Sequence, residues 1–235
     1  MIRYGKIHDE VLKLYCNMNP LVFPIQPEEA MRAVPNCRMM TYREFSALNN
    51  CSVEETVRLC SSKSGCTQYD VLRNRHLILW NDDPSDNNVL GRQRWTKAHE
   101  LGHVVLRHLP QTARSRSEPS GFYAEHCKEY EDEADLFASI LLCPWPLFFQ
   151  LHIHSAADVA NVFGLSTEAS NVRWADYLRW RSCKRNDKEL RWAGWMEGLY
   201  QLRKKSGMVE HPPFRYGGRR YSGIDVWPEK ASGDP

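Results

Sequence analysis

The segment that most restricts the fold of this chain is residues 99–103, which read H-E-L-G-H and match the pattern H-E-x-x-H. Apolar residues recur at steps of three and four from about residue 92 to residue 108, which predicts a helix that ends before Pro110. On such a helix His99 and His103 lie one turn apart on the same face, so both imidazoles can reach one metal ion. Gly102 removes side-chain bulk beside the site and allows another segment to approach closely.

Glu100 follows the first of these histidines and lies about 100° round the helix from it. Its carboxylate therefore faces the space beside the metal and can take a proton from the attacking water as a general base. His108 lies five residues past His103 and is predicted to point off its face. A catalytic zinc ion has three protein ligands and one open position, so a third ligand must come from elsewhere in the chain.

Candidates for the third ligand lie in an acidic cluster at residues 131–135, near the start of a helix predicted from about residue 124 to residue 142. Glu131 and Asp135 share a face of that helix. We expect Glu131 to bind the metal, and Asp135 to accept the other ring N–H of a ligating histidine. Glu133 points elsewhere and is the alternative third ligand. The competing interpretation is a solvated acidic turn, which a helix N-terminus favours without any metal.

The other elements predict an α+β fold that is mainly helical with a small sheet. Residues 76–80, H-L-I-L-W, are an apolar run typical of a strand. Further helices are predicted at residues 7–16, 28–34, 42–48, 52–60, 156–163, 167–180 and 191–204. The two short helices before residue 60 resemble a helix-turn-helix in outline, although simple packing explains such a pair more often.

Composition indicates an ordinary globular protein. The 235 residues are 42% hydrophobic and 26% charged, and the formal net charge of +2 does not favour nucleic acid or a membrane surface as a partner. The sequence has neither an apolar run of about 18 residues nor a secretory signal, so we expect a soluble cytoplasmic protein. The eight cysteines include no C-x-x-C pair, and we interpret all of them as reduced thiols.

Two stretches of the chain resemble the ImmA/IrrE family of metallopeptidases. Residues 94–103 read R-W-T-K-A-H-E-L-G-H, where the family typically has F-T-x-A-H-E-L-G-H. Residues 131–144 read E-x-x-A-D-x-F-A-x-x-L-L-x-P, where the family typically has E-x-x-A-N-x-F-A-x-x-L-L-x-P. The resemblance covers about residues 70 to 180. Its departures are Trp95 for Phe, Asp135 for Asn and Cys143 for Met, and none of them removes a ligand.

The resemblance implies a zincin-like fold with one catalytic zinc or other divalent ion. It implies that His99, His103 and Glu131 are the metal ligands and that Glu100 is the catalytic base. The three residues from two separate motifs should therefore meet in the folded chain.

On this basis we predict three parts of the chain. Residues 1–150 form a zincin-like metallopeptidase domain, whose motif core is at about residues 70–150. Residues 151–205 form a helical, helix-turn-helix-like extension. Residues 206–235, which are rich in Gly, Pro, Arg and Lys, form a disordered or loosely packed tail.

Family members typically act on transcriptional repressors and are often encoded on phages or integrative elements. The resemblance thus implies a zinc-dependent, site-specific endopeptidase that cleaves a helix-turn-helix repressor. We expect the strand at residues 76–80 to present an edge to an extended substrate.

The alternative function is a DNA-binding or toxin–antitoxin-type regulator with a vestigial or structural metal site. The basic residues available to such a regulator are Arg173, Arg179, Arg181, Lys184 and Arg185. Acidic and aromatic residues interrupt this group, so direct DNA binding is the less favoured interpretation.

Overall fold

The computed structural model of the chain describes residues 2–70, 72–83, 90–109, 121–183, 187–211, 214–216 and 219–221. The helices in these ranges are α1 (Tyr4–Asn17), α2 (Pro27–Met31), α3 (Tyr42–Asn49), α4 (Val53–Cys60), α5 (Leu90–Val105), α6 (Gly121–Leu142), α7 (Ala156–Phe163), α8 (Thr167–Ser182) and α9 (Asp187–Lys205), with a short 3-10 helix at Trp145–Leu147. The strands are β1 (Leu21–Val22), β2 (Cys37–Thr41), β3 (Gly65–Asp70), β4 (Arg75–Trp80), β5 (Val209–Glu210), β6 (Phe214–Tyr216) and β7 (Arg219–Tyr221). The fold is α+β and mainly helical, as the sequence predicts.

A three-stranded sheet in the order β2-β4-β3 packs against α5. β4 is parallel to β2 and antiparallel to β3, with Ile78 opposite both Met39 and Thr67. The predicted strand at residues 76–80 is confirmed as β4. Because β4 is paired on both sides, the prediction that it offers an edge to a substrate is wrong. Among the described strands, β3 is an edge of this sheet, and it packs against α5. The sequence did not predict this strand.

α5 and α6 pack closely at Gly102. A Cβ added to this glycine would lie 3.0 Å from Phe137 Cδ1 and 3.2 Å from Ala134 Cα, both on α6. The prediction that Gly102 admits a neighbouring segment is therefore confirmed. The contact sets the helix faces that carry the predicted ligands side by side.

We expect Gly102→Val to destabilise the protein by about 1–3 kcal/mol, because α5 and α6 would have to move apart around the added atoms. The matched control is Gly198→Val in α9, where an added Cβ meets nothing within 4 Å. That variant should change stability only by roughly the few tenths of a kcal/mol that separate valine and glycine in helix propensity. Urea unfolding of both variants measures the difference, and equal effects would contradict the close packing.

α1 closes the core by packing against α6 and α9. Ile7, Val11 and Tyr15 are fully buried on its inner face, at the spacing of one helical stripe. The Tyr15 hydroxyl also donates a hydrogen bond to the Leu141 carbonyl of α6 at 2.8 Å. The N-terminal helix is therefore an integral part of the core that supports α6.

His8 of α1 is buried, and its ring stacks on Trp192 of α9 with centroids 4.2 Å apart. Burial lowers the pKa of His8 from 6.5 to about 4. The unfolded chain therefore takes up a proton here before the folded protein does. Stability should fall as the pH drops below about 6.5, and the full loss, reached near pH 4, corresponds to roughly 3 kcal/mol.

We expect His8→Phe, which keeps a ring against Trp192, to remove this part of the acid destabilisation. Urea unfolding of wild type and variant at about pH 7.5 and about pH 5 measures it. The free energy of unfolding of the variant should fall less between the two conditions. The same fall in both proteins would show that His8 contributes nothing to the pH dependence.

Cys60, the last residue of α4, and Cys66 of β3 form a disulfide, with Cα atoms 5.6 Å apart. This separation is usual for a disulfide. The prediction that every cysteine is a reduced thiol is wrong for this pair, because the short connection from α4 to β3 brings the two side chains together. Within the described ranges the free cysteines are Cys16, Cys37, Cys51, Cys143 and Cys183.

β1 pairs in parallel with β5, with Leu21 opposite Val209. The pairing carries regular structure past residue 206, the predicted start of a loosely packed tail, as far as Glu210. Apart from β6 and β7, the later part of that tail lies outside the described residues. No helix in the described part of the chain is both long and apolar enough to cross a lipid bilayer.

Candidate metal centre

Three side chains from α5 and α6 converge on one point. His99, His103 and Glu131 present ligand atoms that all lie within 4.8 Å of one another. His99 Nε2 is 3.0 Å from His103 Nε2 and 3.1 Å from Glu131 Oε2, and His103 Nε2 is 3.5 Å from Glu131 Oε1. The structure thus brings together the three residues that the sequence predicts as ligands.

This donor set suits a divalent cation. Two imidazole nitrogens and one carboxylate oxygen form a ligand set of catalytic metal sites, with one position left open. His99 and His103 direct their Nε2 atoms into the same space, while their Nδ1 atoms have other partners. Each histidine can therefore keep its proton on Nδ1 and offer Nε2 to a metal.

His99 reaches a carboxylate through its other nitrogen, since its Nδ1 is 2.8 Å from Asp135 Oδ1. Asp135 lies one turn after Glu131 on α6, so the helix places both carboxylates on one face. Burial lowers the pKa of His99, but the hydrogen bonds with Asp135 and Glu131 outweigh it and raise the pKa to about 10. A metal ion that bound His99 Nε2 would have to displace the proton that these carboxylates favour.

Glu100 is buried beside the ligands and is held there by β3. The Thr67 hydroxyl donates a hydrogen bond to Glu100 Oε2 at 2.7 Å and lies 3.0 Å from the Glu100 carbonyl oxygen. β3 can come this close because Gly65 has no side chain: an added Cβ would lie 2.5 Å from Thr96 Cγ2. Burial raises the pKa of the Glu100 carboxyl, which moves it toward the range of a general base.

A cleft of about 600 Å³ opens over the ligands. One wall comes from β3 and from the connection that precedes it, and the other comes from α5 and α6. Thr67 was missed by the sequence argument, because β3 has no long apolar run that would identify it as a strand. The cleft is of the size that binds small molecules or a few residues of a peptide.

α5 ends at Val105 rather than near residue 108 as predicted. Arg107 has a φ of 60°, its N–H donates to the Val104 carbonyl, and the His108 N–H donates to the His103 carbonyl. This is the Schellman pattern of a helix C-terminus. It turns the chain back, so the prediction that His108 points away from His103 is wrong.

His108 instead connects His103 to a buried carboxylate. Its Nδ1 is 3.0 Å from His103 Nδ1, and its Nε2 is 3.0 Å from Glu133 Oε2. Glu133, the alternative third ligand, also accepts hydrogen bonds from the Arg3 backbone N–H at 2.7 Å and from Arg3 Nε at 2.9 Å. Burial would raise the pKa of Glu133, but the bonds from Arg3 and His108 lower it to about 2. Glu133 therefore lies behind the ligand group, not in it.

Comparison with protein families gives a match over residues 68–175 to the IrrE N-terminal-like domain of peptidase family M78. The matched segment contains β4, α5, α6 and α7, and so all of the residues that converge on the candidate metal centre. α1 to α4 and α9 lie outside it. No curated protein matches the chain.

Proposed function

Because residues 68–175 belong to the IrrE N-terminal-like family of peptidase domains, we propose that this chain is a zinc-dependent endopeptidase. The observation that carries the proposal is the convergence of His99, His103 and Glu131 beneath a cleft, with the buried Glu100 beside them. A solvated acidic turn would not direct its carboxylate toward two imidazoles of another helix. The family match supports peptidase chemistry, and the donor set supports zinc as the metal.

In this proposal His99, His103 and Glu131 hold a zinc ion, which when bound polarises the scissile carbonyl and makes a water molecule more acidic. Glu100 takes the proton from the attacking water and later delivers it to the leaving amine. The Thr67 hydroxyl keeps the Glu100 carboxylate aimed at the cleft. Burial makes this carboxylate a stronger base than an exposed glutamate would be.

An extended peptide would bind along β3 in this proposal. Gly65, Cys66 and Thr67 of that strand line the cleft, and β3 is an edge of its sheet within the described part of the chain. Backbone pairing to such an edge supplies affinity, and alternate side chains of the peptide supply specificity. This arrangement gives β3 the role that the sequence argument assigned to β4.

We propose that the substrate is a helix-turn-helix repressor, encoded with the peptidase on a phage or other mobile element. This part rests on the resemblance of residues 94–103 and 131–144 to the ImmA/IrrE motifs. A cytoplasmic location follows from such a substrate.

In the described part of the chain, two of the basic side chains that a DNA-binding regulator would use have acidic partners within the protein. Arg173 contacts Ser139 and pairs with Asp176, and Arg179 also pairs with Asp176. Two of the cations that would face DNA are thus already paired within the protein. Lys184 and Arg185 lie outside the described residues.

Removal of the metal tests the proposed activity. The purified protein should bind about one zinc ion per chain, lose cleavage after dialysis against a chelator, and recover it when zinc is returned. The assay substrates are a quenched fluorescent peptide library and any helix-turn-helix protein that the neighbouring genes are found to encode. Cleavage that persists when the measured metal content is zero would contradict the proposal.

A further inference from the structure

We propose that His108 and Glu133 are positioning residues that hold His103 in the tautomer that binds the metal, and that Arg3 fixes Glu133 in this role. The inference rests on the proposed metal site, and it concerns residues that the family motifs do not specify: Glu133 stands at a variable position of the second motif, and Arg3 and His108 lie outside both. It assigns a function to three side chains in series behind one ligand.

The protons can be placed one at a time along this series. A neutral imidazole carries one N–H, and His103 can offer Nε2 to a metal only if its proton is on Nδ1. The 3.0 Å contact between the two Nδ1 atoms then requires His108 Nδ1 to be the acceptor. The proton of His108 must therefore be on Nε2, 3.0 Å from Glu133 Oε2.

Glu133 sets the direction of the whole series, because a carboxylate only accepts hydrogen bonds. Arg3 donates to it through both its backbone N–H and its guanidinium, which favours the charged form. With Glu133 charged, His108 must donate from Nε2 and accept at Nδ1. The reverse arrangement would put a proton on Nε2 of His103 and block the metal.

The two ligand histidines reach their carboxylates in different ways. His99 contacts Asp135 directly, and the Asp135 side chain is 56% exposed, so water can replace part of its function. His103 reaches Glu133 through His108, whose side chain is 0% exposed, and the Glu133 side chain is 2% exposed. Water therefore has little access to the position of His108. Removal of the His108 imidazole would leave the buried Nδ1 of His103 without an acceptor.

Arg3 brings the N-terminal segment into the metal centre. It is the residue before α1, and it lies well outside residues 68–175, the segment matched to the peptidase domain. α1 is anchored in the core by its own buried stripe, so the position of Arg3 is fixed independently of Glu133. The N-terminal segment thus supplies Arg3, the last residue of the series that begins at His103.

Zinc affinity measures the proposed role without any assay of cleavage. His108→Phe deletes both nitrogens but keeps a ring against Tyr130, whose ring centroid is 4.5 Å from that of His108. Competition with a chromophoric chelator should show zinc binding weakened by about 10–100-fold, the usual effect of removing an outer partner of a metal ligand. Arg3→Ala should shift affinity in the same direction by a smaller factor.

The controls are substitutions of the same type at exposed positions. His154→Phe and Arg32→Ala should leave zinc affinity unchanged, since His154 is exposed and the exposed Arg32 pairs with the nearby Glu29 of its own helix turn. His108→Asn returns an acceptor close to the position of Nδ1 and should recover part of the affinity. A merely structural role for His108 predicts no such recovery.

The tautomer itself is visible by two-bond ¹H–¹⁵N correlation spectra of the histidine side chains in the zinc-loaded wild-type protein. The inference predicts the Nε2–H form for His108 and a protonated Nδ1 for His103. A His108 in the Nδ1–H form overturns it, and so does equal zinc affinity of wild type and His108→Phe. A wild-type protein that binds no zinc overturns the proposed function as well, so the two failures are distinguishable.

Discussion

Glu100→Gln should reduce kcat/KM for peptide cleavage by about 10²–10⁴-fold while zinc affinity stays almost unchanged. Glutamine keeps the shape of the side chain and an oxygen for the Thr67 hydroxyl, but it cannot take a proton from water. The loss should therefore fall on kcat, with KM little affected. Initial rates on the substrate identified in the chelation experiment, together with chelator competition on the same preparations, measure both quantities.

Two further substitutions show how specific that effect is. Thr67→Val removes the hydroxyl that holds the Glu100 carboxylate, so it should reduce kcat less than Glu100→Gln does. Asp132→Asn changes an exposed carboxylate between the two candidate ligands and should leave the rate unchanged. If Glu100→Gln keeps more than about a tenth of the wild-type kcat, then another group is the base, and the role of Glu100 is wrong.

Glu131→Gln should weaken zinc binding by more than the roughly 10–100-fold that an outer partner contributes, because Glu131 would contact the metal directly. Glu133→Gln should fall within that range, since Glu133 acts through His108 and glutamine still offers it an oxygen. Asp132→Asn is again the matched control. Chelator competition on the three variants therefore shows whether each substitution weakens zinc binding, and it also ranks the three zinc affinities.

The order matters because the sequence left two carboxylates available as the third ligand. If Glu133→Gln weakened zinc binding more than Glu131→Gln, the assignment of the ligand would have to be reversed. Thermal unfolding of the metal-free proteins separates a folding defect from a binding defect, since Glu133 is buried in an ion pair with Arg3. The conclusion then depends on zinc affinity among variants that remain folded.

The sequence alone was sufficient to predict features that depend on residues within one helical turn, or on where a single apolar run begins and ends. The spacing of His99 and His103 and that of Glu131 and Asp135 each follow from 3.6 residues per turn, and the structure places each pair on one face. The helix predicted at residues 52–60 is confirmed as α4, and it begins with a capping box. Ser52 Oγ accepts from the Glu55 N–H, and Glu55 Oε2 accepts from the Ser52 N–H.

Only the tertiary structure decided how these helices and strands pack against one another. β3 has no strong periodic pattern of its own, and its place at the sheet edge depends on pairing with β4. The left-handed backbone at Arg107, not the spacing of the histidines, directs His108 onto His103. The disulfide between Cys60 and Cys66 and the contact of Arg3 with Glu133 join residues whose proximity no periodicity encodes. The physical reason is that local hydrogen bonding fixes the direction of a side chain within its own element, whereas contacts between elements depend on the packing of the whole core.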